Sequence, residues 1–248
     1  MNILGIIPAR YASTRFPAKA LADIGGRSMI RRVYEQVIQS SSLTEVMVAT
    51  DHALIYDHVQ GFGGNVVMTS EHHTSGTDRC FEALQIRGGN FDYVINIQGD
   101  EPFIQPEQID ILAGCLYGKT ELATLVKRFS DPESLFSPNT AKVILNQEGE
   151  AMYFSRQPIP FLRGVEPSQW LDKHVFYQHI GIYAYRADIL ATITQLPPSP
   201  LEKAELLEQL RWLENGYRIR VAFTEYESIG IDTPEDLVAA LIKNHDRL

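Results

Sequence analysis

The sequence predicts an α/β fold in which a mainly parallel central sheet carries helices on both faces. In the first half of the chain, short apolar segments alternate with segments whose apolar residues recur at helical spacing. Repeated βα units of this kind place strands side by side in parallel, with the helices crossing over the sheet. The length of 248 residues suits one large α/β domain or one domain with a subdomain, and the hydrophobic content of 44% is ordinary for a globular protein.

The elements of the first half follow in order. Residues 3–7 are uniformly apolar, as expected of a strand that is buried on both faces. Apolar residues spaced i, i+4, i+8 then predict a helix over 29–38. The same criteria predict further strands at 46–49, 66–68 and 93–97, separated by helices at 54–59 and around 80–84.

The pattern changes after about residue 122. Residues 155–178 are irregular and rich in proline, whereas Gly149 indicates a turn and Gly216 the end of a helix. The predicted elements are a hairpin formed by 142–145 and 151–154, a strand at 179–185, an amphipathic helix near 202–214, and a last helix from Thr233. The hairpin and the irregular segment form an insertion that suits a substrate lid, a dimerisation arm or both.

The loop after the first strand carries three cations, Arg10, Arg15 and Lys19. It lies at the carboxyl end of a predicted parallel strand, where open α/β sheets bind ligands. Three like charges on one short loop repel one another unless an anion lies among them, and a nucleoside triphosphate would satisfy them. A solvated basic turn is the alternative. The net charge of −9 argues against nucleic-acid binding, so a local cationic site suits a small polyanion.

Two acids also follow apolar segments. Asp100 comes after the strand at 93–97, and Asp232 comes after 229–231, which we interpret as another strand. A carboxylate at a strand end is a good Mg²⁺ ligand, because Mg²⁺ takes one or two carboxylates and completes its shell with phosphate oxygens and water. A turn role for Asp100 and a helix-cap role for Asp232 are the alternatives.

Several classes of protein are disfavoured. The chain has neither a Walker A motif nor a G-x-G-x-x-G motif after its first strand, which argues against a P-loop nucleotidase and a dinucleotide-dependent redox enzyme. It has no signal-peptide pattern and no apolar run of membrane-spanning length, so we expect a cytoplasmic protein without a membrane partner. Cys80 and Cys115 are expected to be buried free thiols.

Motifs spread in order along nearly the whole chain resemble those of sugar-acid cytidylyltransferases, and most closely the 3-deoxy-manno-octulosonate cytidylyltransferase family. The first motif combines Pro8-Ala9-Arg10 with Ser13, Arg15, Pro17 and Lys19. The others lie at 49–51, 75–79, 96–102, 153–156, 179–183, 207–211 and 232–236. One departure is visible: the family pattern Pro-Gly-Lys-Pro-Leu is Pro-Ala-Lys-Ala-Leu here, with Ala18 in place of glycine.

This resemblance implies a nucleotide-diphospho-sugar transferase-like fold and a reaction in which CMP passes from CTP to 3-deoxy-manno-octulosonate (KDO). The product would serve lipopolysaccharide biosynthesis. It also implies Mg²⁺ held by Asp100 and Asp232, a homodimer, and a division into a mainly nucleotide-binding half, 1–121, and a mainly sugar-binding and dimerisation half, 122–248.

The residues that the resemblance assigns fall into three sets. Catalysis is expected of Arg10, Lys19, Asp100 and Asp232. Nucleotide binding is expected of Arg10, Ser13, Arg15, Lys19, Thr50, Ser75, Gly76, Arg79 and Asp100. Sugar binding is expected of Gln98, Arg156, His179, Tyr183, Glu208 and Gln209. Two alternatives stay open: another sugar acid as acceptor, such as 8-amino-KDO or an acylneuraminate, or a non-catalytic nucleotide-binding protein.

Overall fold

The computed structural model describes residues 1–12, 15–227 and 229–244. In these residues the strands are β1 (Ile3–Ala9), β2 (Glu45–Thr50), β3 (Val66–Met68), β4 (Tyr93–Asn96), β5 (Leu122–Arg128), β6 (Lys142–Leu145), β7 (Ala151–Ser155), β8 (Tyr177–Arg186) and β9 (Ile219–Phe223). The helices are α1 (Met29–Val37), α2 (Ala53–Gly61), α3 (Gly76–Arg87), α4 (Pro106–Gly114), α5 (Pro132–Phe136), α6 (Trp170–Lys173), α7 (Ala187–Ile193), α8 (Pro200–Glu205), α9 (Gln209–Glu214) and α10 (Pro234–Lys243).

The described strands form one sheet in the order β3-β2-β1-β4-β8-β5-β9. Six of these seven strands share one direction, and β8 alone runs antiparallel, between β4 and β5. The β6–β7 hairpin is attached where β6 pairs with the start of β8. The expected mainly parallel sheet and the hairpin insertion are therefore confirmed.

The core lies on both faces of this sheet. Ile3 and Ile7 of β1 pack on one side with α1, α2 and α4, whereas Leu4 and Ile6 pack on the other with α3, α7 and α9. Alternating residues of one strand thus enter opposite layers, which is why β1 is apolar throughout. No helix in the described ranges is both long enough and apolar enough to cross a membrane.

Some sequence predictions need correction. The single helix expected near 202–214 is two helices, α8 and α9, separated at Leu206, which has a left-handed φ of 53°. The helical apolar spacing continues across this break, so the pattern could not reveal it. Gly216 does follow the helix end, with φ 83°. Residues 229–231 are not a strand, and Cys115 is only partly buried, although Cys80 is fully buried.

Candidate active site

A cavity of about 310 Å³ opens at the carboxyl ends of β1 and β4. It brings together segments from both ends of the chain, including the loop after β1, the start of α3, and the residue that precedes the cap of α10. Its lining includes Arg10, Arg15, Lys19, Ser75, Gly76, Arg79, Gln98, Gly99, Asp100 and Asp232. Most of the predicted nucleotide site and both predicted metal ligands therefore meet in one place.

Lys19 joins the two acids. Its Nζ donates to Asp100 Oδ2 at 2.6 Å and to Asp232 Oδ1 at 2.9 Å, and Arg15 Nη2 lies 3.0 Å from Asp232 Oδ2. The backbone supports this meeting, because the Ile231 N–H donates to the Asp100 carbonyl at 2.9 Å. Burial tends to raise the pKa of Asp232, but the bonds from Lys19 and Arg15 outweigh it and lower that pKa.

The carboxylate of Asp232 does not cap the following helix. Thr233 is the N-cap of α10: its hydroxyl accepts from the Asp236 N–H at 3.2 Å, and Asp236 accepts from the Thr233 N–H at 2.9 Å. This capping box leaves the Asp232 carboxylate turned towards Lys19. The cap alternative for Asp232 is therefore wrong.

The two acids suit a divalent cation. Asp100 Oδ2 and Asp232 Oδ1 both bind one ammonium, so these oxygens are at most 5.5 Å apart, the sum of their two distances to Nζ. A lysine cation thus already sits between them. No group of three or more His, Cys, Asp or Glu residues that could hold a metal occurs in the described part of the chain. A pair of carboxylates matches Mg²⁺, which leaves its other positions to phosphate and water.

Two backbone features shape the cavity wall. A Cβ at Gly99 would lie 2.6 Å from the Pro8 carbonyl oxygen, so only glycine lets the chain after β4 approach β1 this closely. Ala18 has φ 54°, the left-handed conformation that glycine adopts most easily, and its N–H donates to the Tyr11 carbonyl at 3.3 Å. The alanine found here therefore adopts the conformation expected of the family's glycine.

The remaining residues predicted to bind nucleotide differ in whether their polar groups are free to bind a ligand. Ser75 is the N-cap of α3, and its hydroxyl accepts from the Asp78 N–H at 3.1 Å, which leaves amides of the first turn near the cavity. Arg79 lines the cavity, yet its guanidinium is committed to Asp51 Oδ2 at 2.8 Å and Thr69 Oγ1 at 2.6 Å. Arg79 therefore stabilises the cavity wall through these bonds. Ser13 lies outside the described residues.

Thr50, which is predicted to bind nucleotide, lies apart from the cavity lining. It is fully buried in β2, its hydroxyl accepts from the His52 N–H at 3.4 Å, and it does not line the cavity. Its neighbour Asp51 is the residue that reaches the site, through Arg79.

Most residues predicted to bind the sugar form a second group around β8. His179 and Tyr183 lie on the same side, with ring centroids 5.2 Å apart, as their spacing predicts. Burial lowers the pKa of His179 to about 3, so its imidazole is neutral near pH 7. Gln98 Nε2 donates to the Gly181 carbonyl at 2.7 Å, which connects β8 to the loop that carries Asp100.

Two buried polar atoms in this second group lack a hydrogen-bond partner among the described residues. The Tyr183 hydroxyl and Gln209 Nε2 have no hydrogen-bond partner within the described ranges, although both residues are more than nine-tenths buried. A buried polar group without a partner is costly, so such atoms mark places where a ligand or water binds. Glu208 lies beside Gln209; burial raises its pKa, and Thr77 donates to its Oε2 at 2.6 Å.

Arg156 is hydrogen-bonded to the backbone in this structure. Its guanidinium donates to three backbone carbonyls: Glu205 at 2.8 Å, Pro138 at 2.9 Å and Leu206 at 3.3 Å. These bonds tie the hairpin to the break between α8 and α9. The contact with the sugar carboxylate stays a prediction, and these bonds favour a structural role, because the guanidinium that would bind a carboxylate already donates to backbone oxygens.

Known proteins resemble this chain over nearly its whole length. A family model described as cytidylyltransferase matches residues 4–220. A 3-deoxy-manno-octulosonate cytidylyltransferase of Parabacteroides distasonis is 60% identical over 97% of both chains, and one of Cytophaga hutchinsonii is 60% identical over 96% of both. The chain belongs to the 3-deoxy-manno-octulosonate cytidylyltransferase family. It is accordingly a nucleotidyltransferase.

Solved structures agree with this family. A structure of CMP:2-keto-3-deoxy-manno-octonic acid synthetase complexed with CTP superposes with a TM-score of 0.92, at 39% identity and complete coverage of both chains. The 4-diphosphocytidyl-2C-methyl-D-erythritol synthase of Anaerococcus prevotii superposes with a TM-score of 0.63 at 17% identity and 98% coverage of both, which is a likeness of fold alone.

Sequence reasoning missed the residues that support the site of this family member. Thr77, Tyr185 and Asn96 are buried polar residues that bond to one another and to Glu208. The only sequence signal was the presence of polar residues in otherwise apolar strands and at the start of α3.

Proposed function

We propose that this chain transfers CMP from CTP to KDO, giving CMP-KDO and pyrophosphate, and so activates KDO for lipopolysaccharide biosynthesis. The observation that carries the proposal is the meeting of Lys19, Asp100 and Asp232 in one cavity beside the amides at the start of α3. Cations, a carboxylate pair and free amides together suit a nucleoside triphosphate with its metal ion.

The reaction would be an in-line displacement. An oxygen–phosphorus bond forms between the anomeric hydroxyl of KDO and the α-phosphorus of CTP, while the bond between that phosphorus and the bridging oxygen breaks. Pyrophosphate leaves with the electron pair, and the hydroxyl proton passes to solvent. Arg10, Arg15 and Lys19 line the cavity and would neutralise the triphosphate and the leaving pyrophosphate. Catalysis would thus rest on positioning and charge neutralisation.

We propose that Asp100 and Asp232 hold Mg²⁺. When bound, the ion would neutralise phosphate charge and increase the acidity of the attacking hydroxyl. The fit rests on two carboxylate oxygens that already share one cation, Lys19 Nζ.

The sugar acid would occupy the space next to β8. The unpartnered Tyr183 hydroxyl and Gln209 amide would bind its hydroxyl groups, with Glu208, Gln98 and His179 around them. We retain the proposal that residues 1–121 bind mainly nucleotide and 122–248 mainly sugar acid, although Asp232 belongs to the nucleotide side and Gln98 to the sugar side.

We also propose a homodimer through the face of the insertion. Phe136 and Phe161 are 42% and 75% exposed, and both pack against Trp170 with centroids about 5.5 Å away. Clustered exposed aromatic rings are typical of association surfaces. Sedimentation of wild type and Phe161→Arg tests this: the variant should be monomeric. We further propose a cytoplasmic location, because the reaction consumes CTP.

The decisive experiment measures pyrophosphate release over a matrix of nucleoside triphosphates and sugar acids. ATP, GTP, UTP and CTP are each combined with KDO, 8-amino-KDO and an acylneuraminate, with Mg²⁺ present. The expected result is a clear preference for CTP with KDO. Asp100→Asn provides the matched control, because it is nearly isosteric and removes one carboxylate.

Every other result of this experiment would change a specific part of the proposal. Preference for another sugar acid would replace KDO as the proposed acceptor. Nucleotide binding without turnover of any acid would favour the non-catalytic alternative. Equal use of ATP and CTP would overturn the cytidylyl specificity.

A further inference from the structure

A directed chain of hydrogen bonds leads from the sheet to Glu208. Asn96 Nδ2 lies 3.3 Å from the Tyr185 hydroxyl, which lies 3.3 Å from Thr77 Oγ1, which in turn lies 2.6 Å from Glu208 Oε2. Asn96 is on β4, Tyr185 on β8 and Thr77 in the first turn of α3. Three separate elements therefore converge on one carboxylate.

The direction of this chain follows from the number of protons available. The Nδ2 group of Asn96 can only donate to Tyr185, and a carboxylate can only accept from Thr77. The Thr77 hydroxyl has one proton, which it gives to Glu208, so it accepts the proton of Tyr185. Every hydroxyl proton in the chain therefore points towards Glu208, and neighbouring bonds of this kind polarise one another.

The hydrogen-bonded chain is buried along most of its length, whereas Glu208 at its end is partly accessible. Asn96, Thr77 and Tyr185 are 4%, 2% and 0% exposed, so their positions are fixed by the core. Glu208 is only partly buried. It lies between Leu206, where the chain breaks between α8 and α9, and Gln209, whose Nε2 has no partner in the described part of the chain. Without its hydroxyl donors, a carboxylate next to such a break would have several side-chain conformations.

From this geometry we propose that Thr77 is a positioning residue for sugar-acid binding: its hydroxyl holds the Glu208 carboxylate in the orientation that receives the sugar. Thr77 does not touch the substrate in this scheme. It acts through Glu208, and it belongs to the same helix start as Ser75 and Gly76, which line the nucleotide cavity. The inference rests on the proposed function, because it takes Glu208 as a sugar ligand.

The test compares variants that remove or retain one hydroxyl. Thr77→Val is isosteric but lacks the donor, Thr77→Ser keeps it, and Thr120→Val removes another buried threonine hydroxyl, one that donates to the Cys115 carbonyl at 3.0 Å, as a matched control. For each, the KM for KDO, kcat, CTP affinity by calorimetry and the melting temperature are measured. If Thr77→Val does not fold, Thr77→Ala replaces it.

Thr77→Val should raise the KM for KDO by about tenfold to a hundredfold, the size expected when a hydrogen bond to a charged group is lost. CTP affinity should change less than about threefold, and Thr77→Ser and Thr120→Val should behave as wild type. In a double-mutant cycle, Thr77→Val should cost little more when Glu208 is already Ala, because alanine has no oxygen that could accept from Thr77.

Other results would overturn the inference. A wild-type KM for KDO in Thr77→Val, equal losses in Thr77→Val and Thr77→Ser, additive losses with Glu208→Ala, or an equal loss of CTP affinity would each do so. Failure of the proposed function can be distinguished from failure of this inference, because the wild-type protein would already show it without any substitution. If wild type prefers another sugar acid, the same variants are compared with that acid; if it accepts none, both proposals fail.

Discussion

Lys19 Nζ lies 2.6 Å from Asp100 Oδ2, although 81 positions separate the two residues in the sequence. The same ammonium lies 2.9 Å from Asp232, so one side chain links the first loop of the chain to two acids that come much later. A lysine in this position keeps the two carboxylates close together, and it competes for the oxygens that a metal ion would use.

Asp100→Asn and Asp232→Asn should each reduce kcat by a factor on the order of 10²–10³, because each removes one preorganised charge from the transition state. Melting temperatures should stay close to wild type, since both changes are nearly isosteric and Thr233 with Asp236 caps α10 without the Asp232 carboxylate. Kinetics at several Mg²⁺ concentrations check this. A variant with normal kcat and normal Mg²⁺ dependence would show that the acid is structural.

Lys19→Met should have opposite effects on the two ligands of the cavity. Mg²⁺ should bind the CTP-free protein more tightly, because the competing ammonium is gone from Asp100 and Asp232. CTP should bind more weakly, because one phosphate-binding cation is lost. Calorimetric titrations with each ligand separately measure both effects. Arg27→Met is the control, since Arg27 pairs with Glu35 at 2.7 Å and does not line the cavity. Weaker Mg²⁺ binding in Lys19→Met would contradict the prediction.

His179 should make stability depend on pH in acid. Its pKa is lowered to about 3 by burial, whereas in the unfolded chain it returns to about 6.5. Between these values the unfolded state binds the extra proton, so stability is complete above pH 6.5 and falls as the pH falls towards 3. The slope is at most about 1.4 kcal/mol for each pH unit.

Urea unfolding of His179→Gln at several pH values between 4 and 7 tests this. The variant should lose less stability on acidification than wild type. Equal slopes for wild type and His179→Gln would show that His179 is protonated in the folded state.

Arg156→Lys should lower the stability of the folded protein. Lysine cannot reproduce the separate bonds to the carbonyls of Pro138, Glu205 and Leu206. A loss of about 1–2 kcal/mol is expected from two broken hydrogen bonds, or roughly 2–8 °C in melting temperature. Calorimetric melting and the KM for KDO distinguish the possibilities, because a direct contact with the sugar carboxylate would raise the KM by tenfold or more at unchanged stability.

The parts of this molecule that the sequence predicts are those with a local signal. The strand at residues 3–7, the amphipathic α1 and the cap at Thr233 each follow from neighbouring residues, and the resemblance carried Asp100 and Asp232 into one site. The break at Leu206 escaped because its stabilising partner, Arg156, lies 50 positions away. The backbone bonds of Arg156 escaped for the same reason: a free guanidinium and one occupied by carbonyls look identical in a sequence.

The central position of the antiparallel strand β8 affects how often the residues that it carries become exposed by local unfolding. It is hydrogen-bonded to β4 on one side and β5 on the other, at the centre of the sheet. We expect the amides of such a strand to exchange with solvent mainly through opening of the whole domain. His179 and Tyr183 are carried by this strand, so the wall that they form has the same lifetime as the folded state itself. The site proposed for the sugar acid would then be among the last features to disappear as the protein unfolds.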